Sequence, residues 1–204
     1  MTDYITTANF KTRFGITTSG DDVRIGAHVT AASLQIDSMC SRQFGPGSSA
    51  TRYFYPDSQR VVRIDDCHTI TEVSIDSGDN GNYDTTFTAG SDYNENPYNG
   101  IGPNGQSGWP VFQLWANGRT YWFPTHTSRP SVKVTATFGW AAVPTDIAEA
   151  TYLLAHRLYF ERDVPSGNVP GSVEFGGAPL RKLWTVDQLL VPYKRADRKM
   201  GIAG

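Results

Sequence analysis

The sequence has 204 residues, of which 39% are hydrophobic and 19% are charged, and its formal net charge is −2. Ten Phe, ten Tyr and five Trp provide enough apolar surface for a folded core, which excludes an intrinsically disordered chain. The small net charge excludes a strongly basic nucleic-acid binder.

The first residues lack a basic stretch followed by an apolar one, and no apolar run approaches the ~20 residues that span a bilayer. We therefore expect no secretory signal and no membrane partner. Cys40 and Cys67 lie far apart in the sequence. We interpret them as buried free thiols, although the sequence leaves open whether they pair.

Two helices are predicted before residue 45. Thr6 or Thr7 can cap a short first helix, which Gly15 can end in the left-handed conformation. The second helix is predicted near 20–41, with Asp21 or Asp22 in its first turn. Its apolar residues recur every three or four positions, as in an amphipathic helix: Ile25, Val29, Ala32, Ile36 and Met39.

From about 51 to 138 the hydrophobic period changes from 3.6 to two, which predicts an antiparallel β region. The runs "TRYFY", "RVVRI", "ITEVSID", "YDTTF", "VFQLW" and "SVKVTATFGW" are rich in Val, Ile, Thr and aromatic residues. Asn117-Gly118 indicates a tight hairpin turn, and residues 92–108 are predicted to form one long exposed loop. We interpret "DDCH" at 65–68 as a turn between two strands.

A third helix is predicted near 144–163, with Pro144 in its first turn. Its apolar residues spread over more than one face, which is typical of a helix that lies at the centre of a core or is buried between subunits. Those that carry the prediction are Ile147, Leu153, Leu154, Leu158 and Tyr159.

A Gly/Pro-rich stretch then leads to a short helix near 181–190, which ends before Pro192. Residues 181–199 carry a net charge of +4, which leaves −6 for the rest of the chain. Residues 191–204 have little apolar content and are predicted to form a mobile basic tail.

These elements predict an α+β fold. Its helical core consists of residues 1–50 and 139–190, its inserted antiparallel β region of residues 51–138, and its C-terminal tail of residues 191–204.

The sequence predicts no enzyme, no cofactor and no metal site. It lacks His-Glu-x-x-His, Cys-x-x-Cys, a Gly-x-Ser-x-Gly elbow, a Walker loop and a dinucleotide-binding fingerprint. The loop acids near 76–95 do not have the spacing of a calcium-binding loop, and we interpret them as solvated. Four aromatic residues could stack on sugars, but a role in the sheet core is the preferred interpretation: Tyr98, Trp109, Tyr121 and Trp122.

The order of elements resembles the head-to-tail adaptor (connector) proteins of long-tailed bacteriophages. The similar stretches are "AASLQIDSMCSRQF" (31–44), "SDYNENP" (91–97), "VTATFGWAAVPTDIAEATYLLAHRLY" (134–159) and "LLVPYKR" (189–195).

This resemblance implies a structural virion protein that forms a ring of twelve subunits beneath the portal protein. The ring would extend the channel for passing genomic DNA without sequence specificity, and would bind a tail-side stopper or head-completion protein. The protein would be located in the virion at the head-tail junction, and in the host cytoplasm during assembly.

On the same resemblance, the five apolar residues of the third helix contact a neighbouring subunit as well as the subunit core. The tail docks onto the portal through Tyr193, Lys194, Arg195, Arg198 and Lys199. Two alternatives stay open: a carbohydrate-binding β-rich module, and a small hydrolase with a metal at "DDCH".

Overall fold

The structure is a computed structural model that describes residues 3–103, 105–118, 122–125, 128–161 and 184–195. The chain divides into two compact units. We call Met1–Phe44 with Val143–Gly204 the helical unit, and Gly45–Ala142 the β unit. The fold is of the α+β class, as the sequence predicts.

The described part of the helical unit contains four α-helices: α1 (Thr7–Phe14), α2 (Asp22–Cys40), α3 (Thr145–Glu161) and α4 (Trp184–Leu190). A 3₁₀ turn, Val191–Tyr193, follows α4 directly. The predicted helices near 20–41 and 144–163 are therefore confirmed, and α4 lies within the short helix predicted near 181–190.

The first helix forms as its sequence predicts. The Thr6 hydroxyl accepts a hydrogen bond from the Asn9 N–H at 3.1 Å, and Gly15 ends α1 with a left-handed φ of 67°. Asp21 precedes α2 but makes no side-chain cap; one of its carboxylate oxygens instead accepts the Tyr159 hydroxyl at 2.9 Å. Asp21 thus connects α2 to α3.

The described β unit forms a six-stranded antiparallel sheet. Its strands are β1 (Pro46–Phe54), β2 (Val61–Ile75), β3 (Thr85–Phe87), β4 (Tyr93–Asn96), β5 (Val111–Ala116) and β6 (Val132–Gly139). The order across the sheet is β1-β6-β2-β5-β4, and β3 pairs with the C-terminal end of β2. Alternate residues of β6 are buried, so one face of the sheet carries the core.

Three details of the β region differ from the sequence prediction. "DDCH" is not a turn but lies inside β2, where register shifts after Arg63 and Cys67 accommodate the polar residues. The predicted loop at 92–108 contains β4 and a 3₁₀ turn at Tyr98–Gly100. The first strand begins at Pro46 rather than near 51. The predicted Asn117-Gly118 hairpin continues into residues outside the described ranges.

Candidate functional site

Residues from distant parts of the sequence meet where α2 ends. Ser41 ends the helix with a left-handed φ of 52°. The Tyr4 hydroxyl donates a hydrogen bond to the Asp37 carboxylate and accepts the Phe44 N–H at 2.9 Å. Burial raises the pKa of Asp37 above its usual value and also raises that of Tyr4. We call Tyr4, Asp37, Phe44 and Tyr193 the α2-end cluster.

Tyr193 belongs to this cluster and is only 1% exposed. Its ring packs edge-on against Phe44 at 5.6 Å between centroids, and its hydroxyl donates to Asp146 at 3.2 Å. The next residues also pack, because the Arg195 N–H donates to the Cys40 carbonyl at 3.0 Å. Residues 191–195 are therefore folded onto the helical unit, which corrects the expectation of a mobile tail for this part.

The predicted portal-docking residues are thus divided by the structure. Buried Tyr193 cannot serve as an exposed aromatic anchor while the helical unit keeps this fold. Lys194 is exposed, with its ammonium 3.7 Å from the Asp187 carboxylate, and Arg195 is partly exposed. Arg198 and Lys199 lie outside the described residues.

The predicted interface residues of α3 are divided in the same way. Ile147, Leu154 and Tyr159 are at most 9% exposed and fill the core of the helical unit itself. Leu153 and Leu158 are partly exposed and can contact another molecule. The reason is that α2 and α4 both pack on α3 and cover much of its apolar surface.

Sequence reasoning missed an aromatic surface formed by α1 and α3. The His156 ring lies 4.3 Å from the Phe14 ring and 4.3 Å from the Phe160 ring, and Tyr152 also contacts Phe14. Phe160 is 51% exposed. Burial lowers the pKa of His156, so the neutral ring is favoured. The spacing of Tyr152, His156 and Phe160, four residues apart on α3, was the available signal.

The aromatic residues considered for sugar binding have different environments. Trp109 is buried, whereas Tyr98 and Trp122 are exposed, and Tyr121 lies outside the described residues. Trp115 on β5 was not singled out, yet it is 51% exposed and its indole N–H donates to the Gln113 side chain at 3.3 Å. Asn96 donates to the same Gln113 oxygen at 3.0 Å.

The described residues hold no group of three or more His, Cys, Asp or Glu side chains that could bind a metal. Both cysteines are free and buried. Burial raises the pKa of the Cys67 thiol to about 12 and that of the Cys40 thiol to about 11. Asp76 accepts the N–H groups of Asn80 and Gly81, which closes the loop after β2. Within the described ranges, no helix is both long and apolar enough to cross a bilayer.

No family model matches the sequence, and no curated protein matches it. Solved structures do match this chain. A chain in the neck of an empty gene transfer agent (GTA) particle, computed with C6 symmetry, is 17% identical with a TM-score of 0.57, covering 97% of this chain and 93% of that one.

A chain in the neck of a native GTA particle, computed with C12 symmetry, is 18% identical with a TM-score of 0.52, covering 96% of this chain and 91% of that one. A chain in the virion of the native particle is 20% identical with a TM-score of 0.51, and the coverage is 97% and 93%. At the level of fold, these matches agree with the resemblance to head-to-tail adaptors. Over almost its whole length, this chain shares its fold with chains of gene transfer agent particles and their necks.

Proposed function

We propose that this chain is a structural protein of the neck of a phage-like particle, where it forms a ring between head and tail. The observation that carries the proposal is the shared fold with neck chains over 96–97% of this sequence. Those necks were computed with C6 and C12 symmetry, which supports a ring of identical copies, and we favour twelve. The protein acts in the virion after assembly in the host cytoplasm.

Within the neck, the chain is an adaptor. The ring docks beneath the portal protein, extends the DNA channel and presents its opposite side to a stopper or head-completion protein. The role is structural rather than catalytic. In support, the sequence carries no recognised catalytic motif, and the raised pKa values of both thiols leave neither cysteine activated as a nucleophile.

Docking to the portal uses the basic residues after α4. Lys194 and Arg195, with Arg198 and Lys199 beyond the described part, supply charge for an acidic surface. Tyr193 has a different role from the exposed anchor predicted by the sequence: through Phe44 and Asp146 it holds the start of this basic segment on the helical unit. Many weak contacts in a ring then add up by multivalency.

Contacts between neighbouring subunits use the apolar side chains that the helical unit leaves partly open. These are Leu153 and Leu158 of α3, together with Phe160 and the aromatic surface around His156. Ile147, Leu154 and Tyr159 support this surface from inside the unit. Passing DNA meets a chain of net charge −2, which favours a conduit without sequence specificity over a binder.

The experiment is imaging of the purified chain mixed with the portal protein of the same phage. We expect rings that dock on the portal, and weaker docking as salt is raised. A variant with Lys194, Arg195, Arg198 and Lys199 changed to Glu should keep its fold and its rings but fail to dock. The control is Arg24→Glu, which reverses a basic charge on α2 whose side chain is 68% exposed. Normal docking by the four-residue variant would contradict the docking surface, and the absence of rings would contradict the adaptor function.

A second candidate function is carbohydrate binding by the β unit. The half-exposed Trp115 ring, held by Gln113 and flanked by Asn96, favours it, since sugars stack on such rings and hydrogen-bond to amides. Glycan-array binding by the full chain that Trp115→Ala abolishes would favour this function. Binding that persists in the variant, or none at all, would exclude it.

A further inference from the structure

The two edge strands of the sheet, β1 and β4, differ in length and in how far their open edges are covered. Strand β4, at one end, has four residues and is followed by Pro97, which cannot extend a ladder. Tyr93 on β4 also bridges to Ala89, and its carbonyl accepts the Gly90 N–H at 2.7 Å. This end of the sheet is therefore short and already partly occupied.

Strand β1, at the other end, is long and open. It has nine residues, and among the described residues it pairs only with β6. In an edge strand, alternate residues direct their N–H and C=O groups away from the sheet. After a register shift near its start, β1 pairs regularly over residues 49–54, an edge of roughly 20 Å at the usual rise per residue. It offers a row of unmet hydrogen-bonding groups to another extended chain.

The side chains of β1 contribute little to the β unit. Seven of the nine residues are exposed, Ala50 is half-buried and Phe54 is buried. Natural edge strands are often protected by outward-facing charges or by prolines. Here Arg52 is the one charged residue, and it lies back over the sheet, with its guanidinium 2.7 Å from Asp65 and 4.0 Å from the centre of the Phe138 ring. Pro46 and the register shift before Ser49 interrupt only the start of β1, and no outward-facing charge protects residues 49–54.

A strand that buries so little of itself, yet pairs regularly with β6 over residues 49–54, has the form of an acceptor for strand addition. One added strand covers too little area for a stable complex between two free proteins, which usually needs about 1,000 Å² or more. The contact suits subunits that a closed ring already holds side by side, where each copy offers the same edge to its neighbour.

We propose that β1 is the edge onto which an adjacent copy of this chain adds an extended segment, so that the sheet continues from one subunit to the next. The inference rests on the ring assembly proposed above. The added segment supplies backbone hydrogen bonds to the open edge, and the exposed side chains of Ser49, Thr51 and Tyr53 on one face of β1 set its register.

Hydrogen exchange of the full chain, free and in portal-docked rings, tests the proposal. In rings, we expect alternate amides of residues 47–54 to exchange at least about tenfold more slowly than in the free chain. Exchange at β4 should stay the same. A cysteine introduced by Ser49→Cys, carrying a photo-cross-linker, should join to another copy of the chain.

Two proline variants provide the functional test. Neighbouring residues direct their N–H groups to opposite sides of a strand, so Ser49→Pro and Ala50→Pro have different effects. One removes a hydrogen bond to β6 and lowers the melting temperature. The other faces the open edge and should keep a melting temperature near that of the unchanged chain while preventing ring formation. If both unfold, the double variant Ser49→Lys with Tyr53→Lys replaces them, with Thr71→Lys on central strand β2 as the matched control.

Each outcome has a definite meaning. Rings in which β1 exchanges as fast as in the free chain would overturn the inference and leave the proposed function standing. So would rings formed by the folded proline variant, or cross-links that lead to the portal instead of another copy. If the unchanged chain forms no rings at all, the proposed function fails, and strand addition between subunits fails with it.

Discussion

The helical unit and the β unit differ in how far apart along the sequence their contacting residues lie. The β unit is one continuous stretch, Gly45–Ala142, whose core comes from alternate residues of its own strands. The helical unit joins residues from both sides of that stretch: Asp21 with Tyr159, Arg13 with Glu149, and Phe44 with Tyr193. The β unit is therefore stabilised by contacts within one continuous segment, whereas the helical unit depends on contacts between the two segments that flank the β unit.

The largest effect is expected from removing the Tyr193 side chain. Tyr193→Ala leaves a cavity beside Phe44 and should lower the free energy of unfolding of the helical unit by about 3–5 kcal/mol. Tyr193→Phe, which keeps the ring, should lose only about 1 kcal/mol. Urea unfolding measures the loss of free energy, and hydrogen exchange shows which amides lose protection. If the amides of the β unit lose as much protection as those of the helical unit, the two units unfold together rather than independently.

A smaller effect is expected from Gly139→Ala in the β unit. Gly139 has a φ of 98°, and an added Cβ would lie 2.5 Å from the Gly45 carbonyl oxygen. The variant should lose about 1–3 kcal/mol in the free energy of unfolding, because strain and a clash add. Gly90→Ala, with a φ of 79° and no heavy atom within 4 Å, should lose about 1 kcal/mol from strain alone. Equal losses in thermal or urea unfolding would show that the close approach to Gly45 is unimportant.

Acid should weaken the helical unit through His156. Burial holds its pKa below the ordinary 6.5, so the unfolded chain binds the proton more readily than the folded one. The stabilisation is present above pH 6.5 and is lost as the pH falls through the lowered pKa. Between pH 7 and pH 5, the melting temperature should therefore fall more for the unchanged chain than for His156→Gln. The same fall in both would assign the acid sensitivity to other groups.

The smallest effect is expected at the ion pair between α1 and α3. Arg13 and Glu149 lie 2.6 Å apart, but their side chains are 42% and 35% exposed. Water and salt screen such a pair, so a double-mutant cycle with Arg13→Ala and Glu149→Ala should give a coupling of about 0.2–1 kcal/mol, decreasing in high salt. Arg13 also lies 4.6 Å from the centre of the Tyr152 ring, so Arg13→Lys serves as a control that keeps the charge. A coupling that salt does not change would contradict the electrostatic explanation.

Local patterns predicted much of the fold. Thr6 marks the start of α1 and Gly15 its end. The spacing of Ile25 to Ile36 defines the buried face of α2, and the alternation in "VKVTATF" defines β6. Each of these features is determined by residues that lie close together in the sequence. The interpretation of "DDCH" was wrong because register shifts, which depend on the partner strands, let polar residues stay in β2.

The candidate site was harder to predict for a similar reason. Whether Tyr193 or Ile147 is exposed depends on what packs over it, and Phe44 and Asp146 are distant in sequence from Tyr193. Apolar spacing on α3 correctly showed a wide apolar surface but could not divide it between the core and a partner. The open edge of β1 likewise depends on the order of strands across the sheet.

The α2-end cluster has a consequence for how the protein is made. The ribosome delivers α2 early, with Ile25, Val29 and Ile36 still uncovered, and then synthesises the whole β unit before α3 and Tyr193 emerge. The β unit can fold as soon as residue 142 is free, but α2 must wait for residues at the far side of it. The apolar face of α2 therefore stays uncovered for most of the synthesis of the chain.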